Sequence, residues 1–119
     1  MSRILFVDDD FERHLKFHQD AELWGLDVRH ATNPGAALDA LREESFDEIW
    51  LDYDAGSDGE GKYLSFKPVY QWLLDVPQFQ AKIRIHSWNV VAADRWEKCL
   101  KEFGYTVVCM PFNYHEERT

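Results

Sequence analysis

Acidic residues follow two apolar runs in this chain. The run at residues 3–7 (RILFV) leads into Asp8, Asp9 and Asp10, and the run at 47–51 (DEIWL) leads into Asp52 and then Asp54. If the two runs are neighbouring strands, five carboxylates gather at one end of one sheet. Two carboxylates ~4 Å apart repel by about 4 kcal/mol at an effective dielectric of 20. A site that assembles several of them either holds a cation or protonates one acid. An all-oxygen donor set suits Mg²⁺, or a similar ion such as Mn²⁺. Asp8, Asp9, Asp52 and Asp54 are therefore candidate metal ligands. The competing explanation is that Asp8, Asp9 and Asp10 cap the helix that follows, where negative charge is favourable. One aspartate would suffice for that.

A further run at 82–86 (KIRIH) ends on His86, followed by Ser87, Trp88 and Asn89. His86 and His14 are the nearby side chains whose ordinary pKa lies close to neutrality. Ser87 and Asn89 can hydrogen-bond phosphate oxygens or cap the next helix; free amides at that helix start can do the same for a phosphate. Arg13 offers positive charge, although Arg13 and His14, adjacent on a helix, cannot both face one site squarely. Attack on phosphorus needs a nucleophile or activated water, a cationic clamp and an acid for the leaving oxygen. Asp52 is a candidate nucleophile as well as a ligand. Asp52, His86 and Ser87 are thus the candidate catalytic residues, and Asn89, Arg13 and His14 the candidates for substrate binding. A structural, hydrogen-bonding His86 is the alternative, and His30 and His115 are expected at the surface.

The elements that must hold these groups are visible as alternating patterns. Strands are expected at 3–7, 26–31, 47–51, 82–86 and 105–110, and continuous apolar runs such as ILFV suit strands buried on both faces. Helices are expected at 11–24, 34–44, 68–76 and 90–103. Their apolar stripes are Phe17, Ala21 and Trp24; Ala37, Leu38 and Leu41; Val69, Trp72, Leu73 and Val76; and Ala92, Trp96, Cys99, Leu100 and Phe103. Asn33 before Pro34 is a helix start, and Gly104 a helix stop. Strand–helix alternation implies an α/β fold: one five-stranded parallel sheet between helices, with right-handed crossovers. Ligands of such sheets bind beyond the carboxyl ends of the strands. Residues 54–66 hold Gly56, Gly59 and Gly61 and form a long link beside the site, either a lid or a surface loop. Asp58 and Glu60 on it are near enough in sequence to approach a metal. Tyr53, Tyr63 and Trp88 are candidates for stacking on a base.

The 119 residues are expected to form one domain, the last seven or so a tail. With 45% hydrophobic residues the chain has material for a core, which excludes disorder as the main state. The net charge of −9 argues against duplex DNA and against an anionic membrane as partners. It tolerates a phosphorylated nucleotide or a terminal phosphate held through a metal. No apolar run approaches the ~20 residues of a membrane span, and residues 1–10 lack the apolar region of a signal peptide. Cys99 and Cys109 are expected to be reduced thiols in the core of a cytoplasmic protein.

Up to about Phe112 the sequence resembles the receiver domains of response regulators. ILFVDDD resembles the receiver acidic cluster, and FDEIWLD the strand that ends in the phospho-accepting aspartate, here Asp52. Ser87 falls where receivers carry a small hydroxyl residue. Receivers follow the last strand with Lys-Pro, whereas this chain has Met110-Pro111, which disfavours ordinary phosphorelay signalling. DDDFERH, LDYDAG and IRIHSWN together resemble a receiver-derived family, the cyclic-phosphate processing receiver domain. The resemblance implies a receiver-like, flavodoxin-like fold of strand order 2-1-3-4-5. It also implies metal-dependent processing of a cyclic phosphate on a nucleotide or RNA end. The alternative is a degenerate receiver that acts as a protein-interaction or regulatory module without catalysis.

Overall fold

A computed structural model of the chain describes residues 2–57, 63–86 and 89–109. Five parallel strands form the main sheet: β1 (Arg3–Val7), β2 (Asp27–Ala31), β3 (Glu48–Leu51), β6 (Lys82–Ile85) and β7 (Val107–Cys109). Their spatial order is β2-β1-β3-β6-β7. Counting main-sheet strands alone, this is the expected order 2-1-3-4-5. The helices are α1 (Phe11–Trp24), α2 (Pro34–Glu43), α3 (Lys67–Asp75) and α4 (Val90–Phe103). No described helix is long and apolar enough to cross a membrane.

Alternation along each strand sorts the core into two layers. Leu5, Val7, Ile49, Leu51, Ile83 and Ile85 face one side and pack with α2, α3 and α4. Ile4, Phe6 and Trp50 face the other and pack with Phe17 of α1. Helix starts follow local capping chemistry. The Asp10 carboxylate accepts from the Glu12 and Arg13 amides, Asn33 from Ala36, and Asn89 from Ala92. Gly25 and Gly104 close α1 and α4 at φ 69° and 119°, a backbone region that favours glycine.

Several expectations change. Residues 54–66 were expected to be a loop, yet they carry a small antiparallel hairpin, β4 (Asp54–Ser57) with β5 (Tyr63–Ser65). It is closed at its base by the Phe66 amide donating to the Tyr53 carbonyl at 2.7 Å. Trp24, Val76 and Phe103 are exposed although they lie on expected core stripes. On α4 the buried set is Ala93, Trp96 and Leu100: Trp96 and Leu100 are buried as expected, Ala93 takes the place of Ala92, and Cys99 and Phe103 lie outside the core-facing line. Cys99 is exposed and Cys109 only partly covered, so they are not the pair of core thiols expected. His30 is half-buried, not a surface residue.

Candidate metal and phosphate site

Strand register assembles the site. Val7 of β1 lies opposite Leu51 of β3, and Leu51 opposite Ile85 of β6. Each ladder runs one step further, with the Asp52 amide donating to the Val7 carbonyl and the His86 amide to the Leu51 carbonyl, both at 3.1 Å. Asp8, Asp52 and His86 therefore stand in a row just beyond three adjacent strands. Val7, Leu51 and Ile85 point into one layer, so alternation turns these three polar residues toward the α1 side. There the His86 ring stacks on Phe6 with centroids 5.1 Å apart.

Carboxylate oxygens of Asp8, Asp9 and Asp52 lie within 4.8 Å of one another. Asp8 is fully buried, Asp52 is 4% exposed, and Asp9 is open to solvent. Burial first, then the charge of Asp8, pushes the Asp52 carboxyl up to about 7, while the Tyr53 amide and Arg13 pull the other way. Asp9 is also raised, by burial and by Asp8. Both shifts are led by desolvation, with the charge of Asp8 second, and Arg13 offsets them only in part. A hard divalent cation would supply further positive charge, so this donor set fits one.

Arg13 is the cation already present. Its Nε and Nη2 donate to the two oxygens of Asp8 at 2.8 and 2.9 Å. The same guanidinium lies 3.6 Å from Asp52, 3.7 Å from Asp10 and 3.9 Å from Asp9. This positive charge comes from α1.

The remaining candidates divide. His86 is 3% exposed; its Nε2 is 3.2 Å from the Val7 carbonyl and its Nδ1 3.5 Å from Asp8. Burial holds its pKa down to about 4, so it is neutral at pH 7. His14 is buried, with Nε2 2.6 Å from the main-chain oxygen of Asp8 and Nδ1 2.7 Å from His30. Arg13 and His14 thus approach Asp8 through different atoms, Arg13 at the carboxylate and His14 at the main chain. Asn89 caps α4 through its side chain, and Asp10 caps α1, so Asp10 is the one acid of the triplet spent on capping. Asp54 opens the hairpin and adds no oxygen to the three-acid group. Tyr53 packs against Trp96 with centroids 4.8 Å apart. Ser87, Trp88, Asp58, Glu60, Met110 and His115 lie outside the described residues, as does the Tyr63 side chain.

Sequence reasoning missed the bidentate grip of Arg13 on Asp8 and the clustering of His14 with His18 and His30. The i, i+4 spacing of His14 and His18 was the available signal for the second.

A parallel sheet of this order with acids beyond β1 and β3 defines a receiver-type fold, and solved structures agree. The HemR receiver domain of Leptospira biflexa, non-phosphorylated, superposes with TM-score 0.73 at 19% identity, covering 99% of this chain and 87% of that one. A receiver domain from Methylobacillus flagellatus gives 0.72 at 16% identity, over 95% and 87%. The response regulator TrrA from Thermotoga maritima, solved with Mg²⁺-BeF, gives 0.65 at 23% identity, over 99% and 94%. Residues 3–102 match the model of the cyclic-phosphate processing receiver domain, and the chain belongs to that family. No curated protein matches it in sequence.

Proposed function

We propose that the Asp8–Asp9–Asp52 pocket binds Mg²⁺ or Mn²⁺ and processes a phosphoester, a cyclic phosphate on a nucleotide or RNA end. The observation that carries this is the mutual approach of three carboxylates, within 4.8 Å of one another, two of them buried. Asp8, Asp9 and Asp52 would hold the ion. The ion, when bound, polarises a phosphoryl oxygen. The family match and the Mg²⁺-BeF complex of TrrA support the reading.

Opening a 2′,3′-cyclic phosphate with water forms one P–O bond and breaks another, and the departing ribose oxygen takes a proton. In this proposal Arg13 stabilises charge on the phosphoryl oxygens, the task the absent lysine performs in other receivers. Asp52 is the nucleophile or the proton acceptor for water. Ser87 and Asn89 donate hydrogen bonds to phosphate oxygens. His86 stacks on Phe6 and stays neutral, so it acts better as a positioning residue for Asp8 than as the acid itself.

The test is turnover of 2′,3′-cyclic nucleotides with Mg²⁺ or Mn²⁺. Activity that is lost in Asp52→Asn and on chelation supports the proposal. Folded protein that turns over none of several cyclic nucleotides with either ion overturns it. The second reading, a regulatory module without catalysis, then stands. It is favoured by one observation: Arg13 already pairs both oxygens of the buried Asp8.

A further inference from the structure

Three histidines meet beside the carboxylate pocket. His14 and His18 are four residues apart on α1 and so share a face. His30 stands on β2, in register with Phe6 of β1. The ring centroids of His14 and His18 lie 4.9 and 5.4 Å from that of His30. A continuous chain of contacts results. His14 Nε2 lies 2.6 Å from the Asp8 carbonyl, His14 Nδ1 2.7 Å from His30 Nδ1, His30 Nε2 3.3 Å from His18 Nδ1, and His18 Nε2 3.0 Å from a Glu22 oxygen.

Both ends of this chain are acceptors, a carbonyl and a carboxylate. The Nε2–H of His14 therefore donates to Asp8 and the Nε2–H of His18 to Glu22. In neutral rings that leaves a lone pair on each Nδ1, and both lone pairs face His30. A neutral His30 carries one N–H and can fill only one of the two contacts. The 2.7 Å contact is short enough for a strong hydrogen bond and takes it. His30 Nε2 and His18 Nδ1 then face each other, lone pair to lone pair, at 3.3 Å.

Two imidazole nitrogens bound to a tetrahedral Zn²⁺ at 2.0–2.1 Å stand about 3.3–3.4 Å apart. We infer that His18 Nδ1 and His30 Nε2 form a second metal site, for a borderline transition ion such as Zn²⁺. The chemistry around it fits, because imidazole suits such ions and not Mg²⁺. Each ligating ring has its other nitrogen held by an outer partner, His18 by the Glu22 carboxylate and His30 by His14, as ligating histidines commonly do. His18 is about half exposed, which leaves the ion open on one side to water or an incoming ligand. Burial and the two neighbouring histidines hold His30 down to about 4, so His30 itself carries no second proton at neutral pH.

Zn²⁺ titration of the full chain against a chromophoric chelator, in excess Mg²⁺, tests this. The Mg²⁺ covers the carboxylates, and a parallel Co²⁺ absorption spectrum reports the ligand type. One saturable equivalent is expected, without a thiolate charge-transfer band. His18→Ala, at an exposed position, and His30→Ala should abolish it. His14→Gln should weaken it about 10–100-fold, and Asp52→Asn should leave it unchanged. No saturable binding by the wild type, binding retained in His18→Ala, binding lost in Asp52→Asn, or a thiolate band would each overturn the inference. The site does not depend on the phosphoester proposal, whose readout is cyclic-nucleotide turnover.

Discussion

Asp52 is held at about 7 chiefly by burial and by the charge of Asp8, and this has a definite sign for stability. Between pH ~4 and ~7 the folded chain keeps a proton on Asp52 that the unfolded chain has released. Stability therefore falls as pH rises through that window, by at most about 4 kcal/mol for three units. His86, held down to about 4, works in the opposite sense: the unfolded chain binds its proton first, so stability rises from pH ~4 to ~6.5. The metal-free Asp52→Asn protein should thus unfold at a higher temperature than the wild type at pH 8, by roughly 1–3 kcal/mol, with the gain vanishing near pH 4. A thermal melt at both pH values checks this. Because a cation and the Asp52 proton compete, Mg²⁺ affinity should drop about tenfold per pH unit below 7, measurable by calorimetry at pH 6 and 8. Arg13 is the internal counter-ion of Asp8. Arg13→Gln should destabilise the metal-free chain by roughly 2–4 kcal/mol and enlarge the Mg²⁺-induced rise in Tm above that of the wild type.

Each element start and stop was legible where one residue decides it. Asn33, Pro34 and Gly104 act at short range, so their effect survives in the sequence. At Gly104 the φ of 119° and a Phe79 ring carbon 3.3 Å from an added Cβ oppose any side chain together, whereas Gly25, at φ 69°, has open space around it. Gly104→Ala should therefore cost more than Gly25→Ala, about 1–2 against about 1 kcal/mol, in urea unfolding at neutral pH. The hairpin at 54–57 and 63–65 was not legible. Three glycines and acidic residues read as loop, and its pairing depends on β3 and α3 fixing Tyr53 and Phe66 close together. On α4 the anchors Trp96 and Leu100 were legible, but the first position of the stripe was not. Ala92 and Ala93 are equivalent by composition, and only docking on the sheet selects Ala93.

Across the whole molecule, a charge of −9 surrounds a site proposed to accept an anion. The ion and Arg13 attract a phosphate at short range, while the remaining surface repels an extended polyanion. An RNA oligonucleotide ending in a cyclic phosphate should accordingly show a lower kcat/KM than a cyclic mononucleotide, and the gap should narrow as salt is added. Equal values at low salt would mean that the bulk charge lies away from the path of the strand.

The acids beyond β1 and β3, the alternation that turns His86 away from the isoleucines and the strand order all follow from local periodicity and from family motifs, and one dimension carries both. Arg13 reaching Asp52 as well as Asp8, and His30 meeting His14 and His18, depend on register between strands and on how α1 lies across β1, β2 and β3. Those are non-local pairings. They were decided by packing in three dimensions, because no spacing along a single chain specifies which side chains of two separate elements meet.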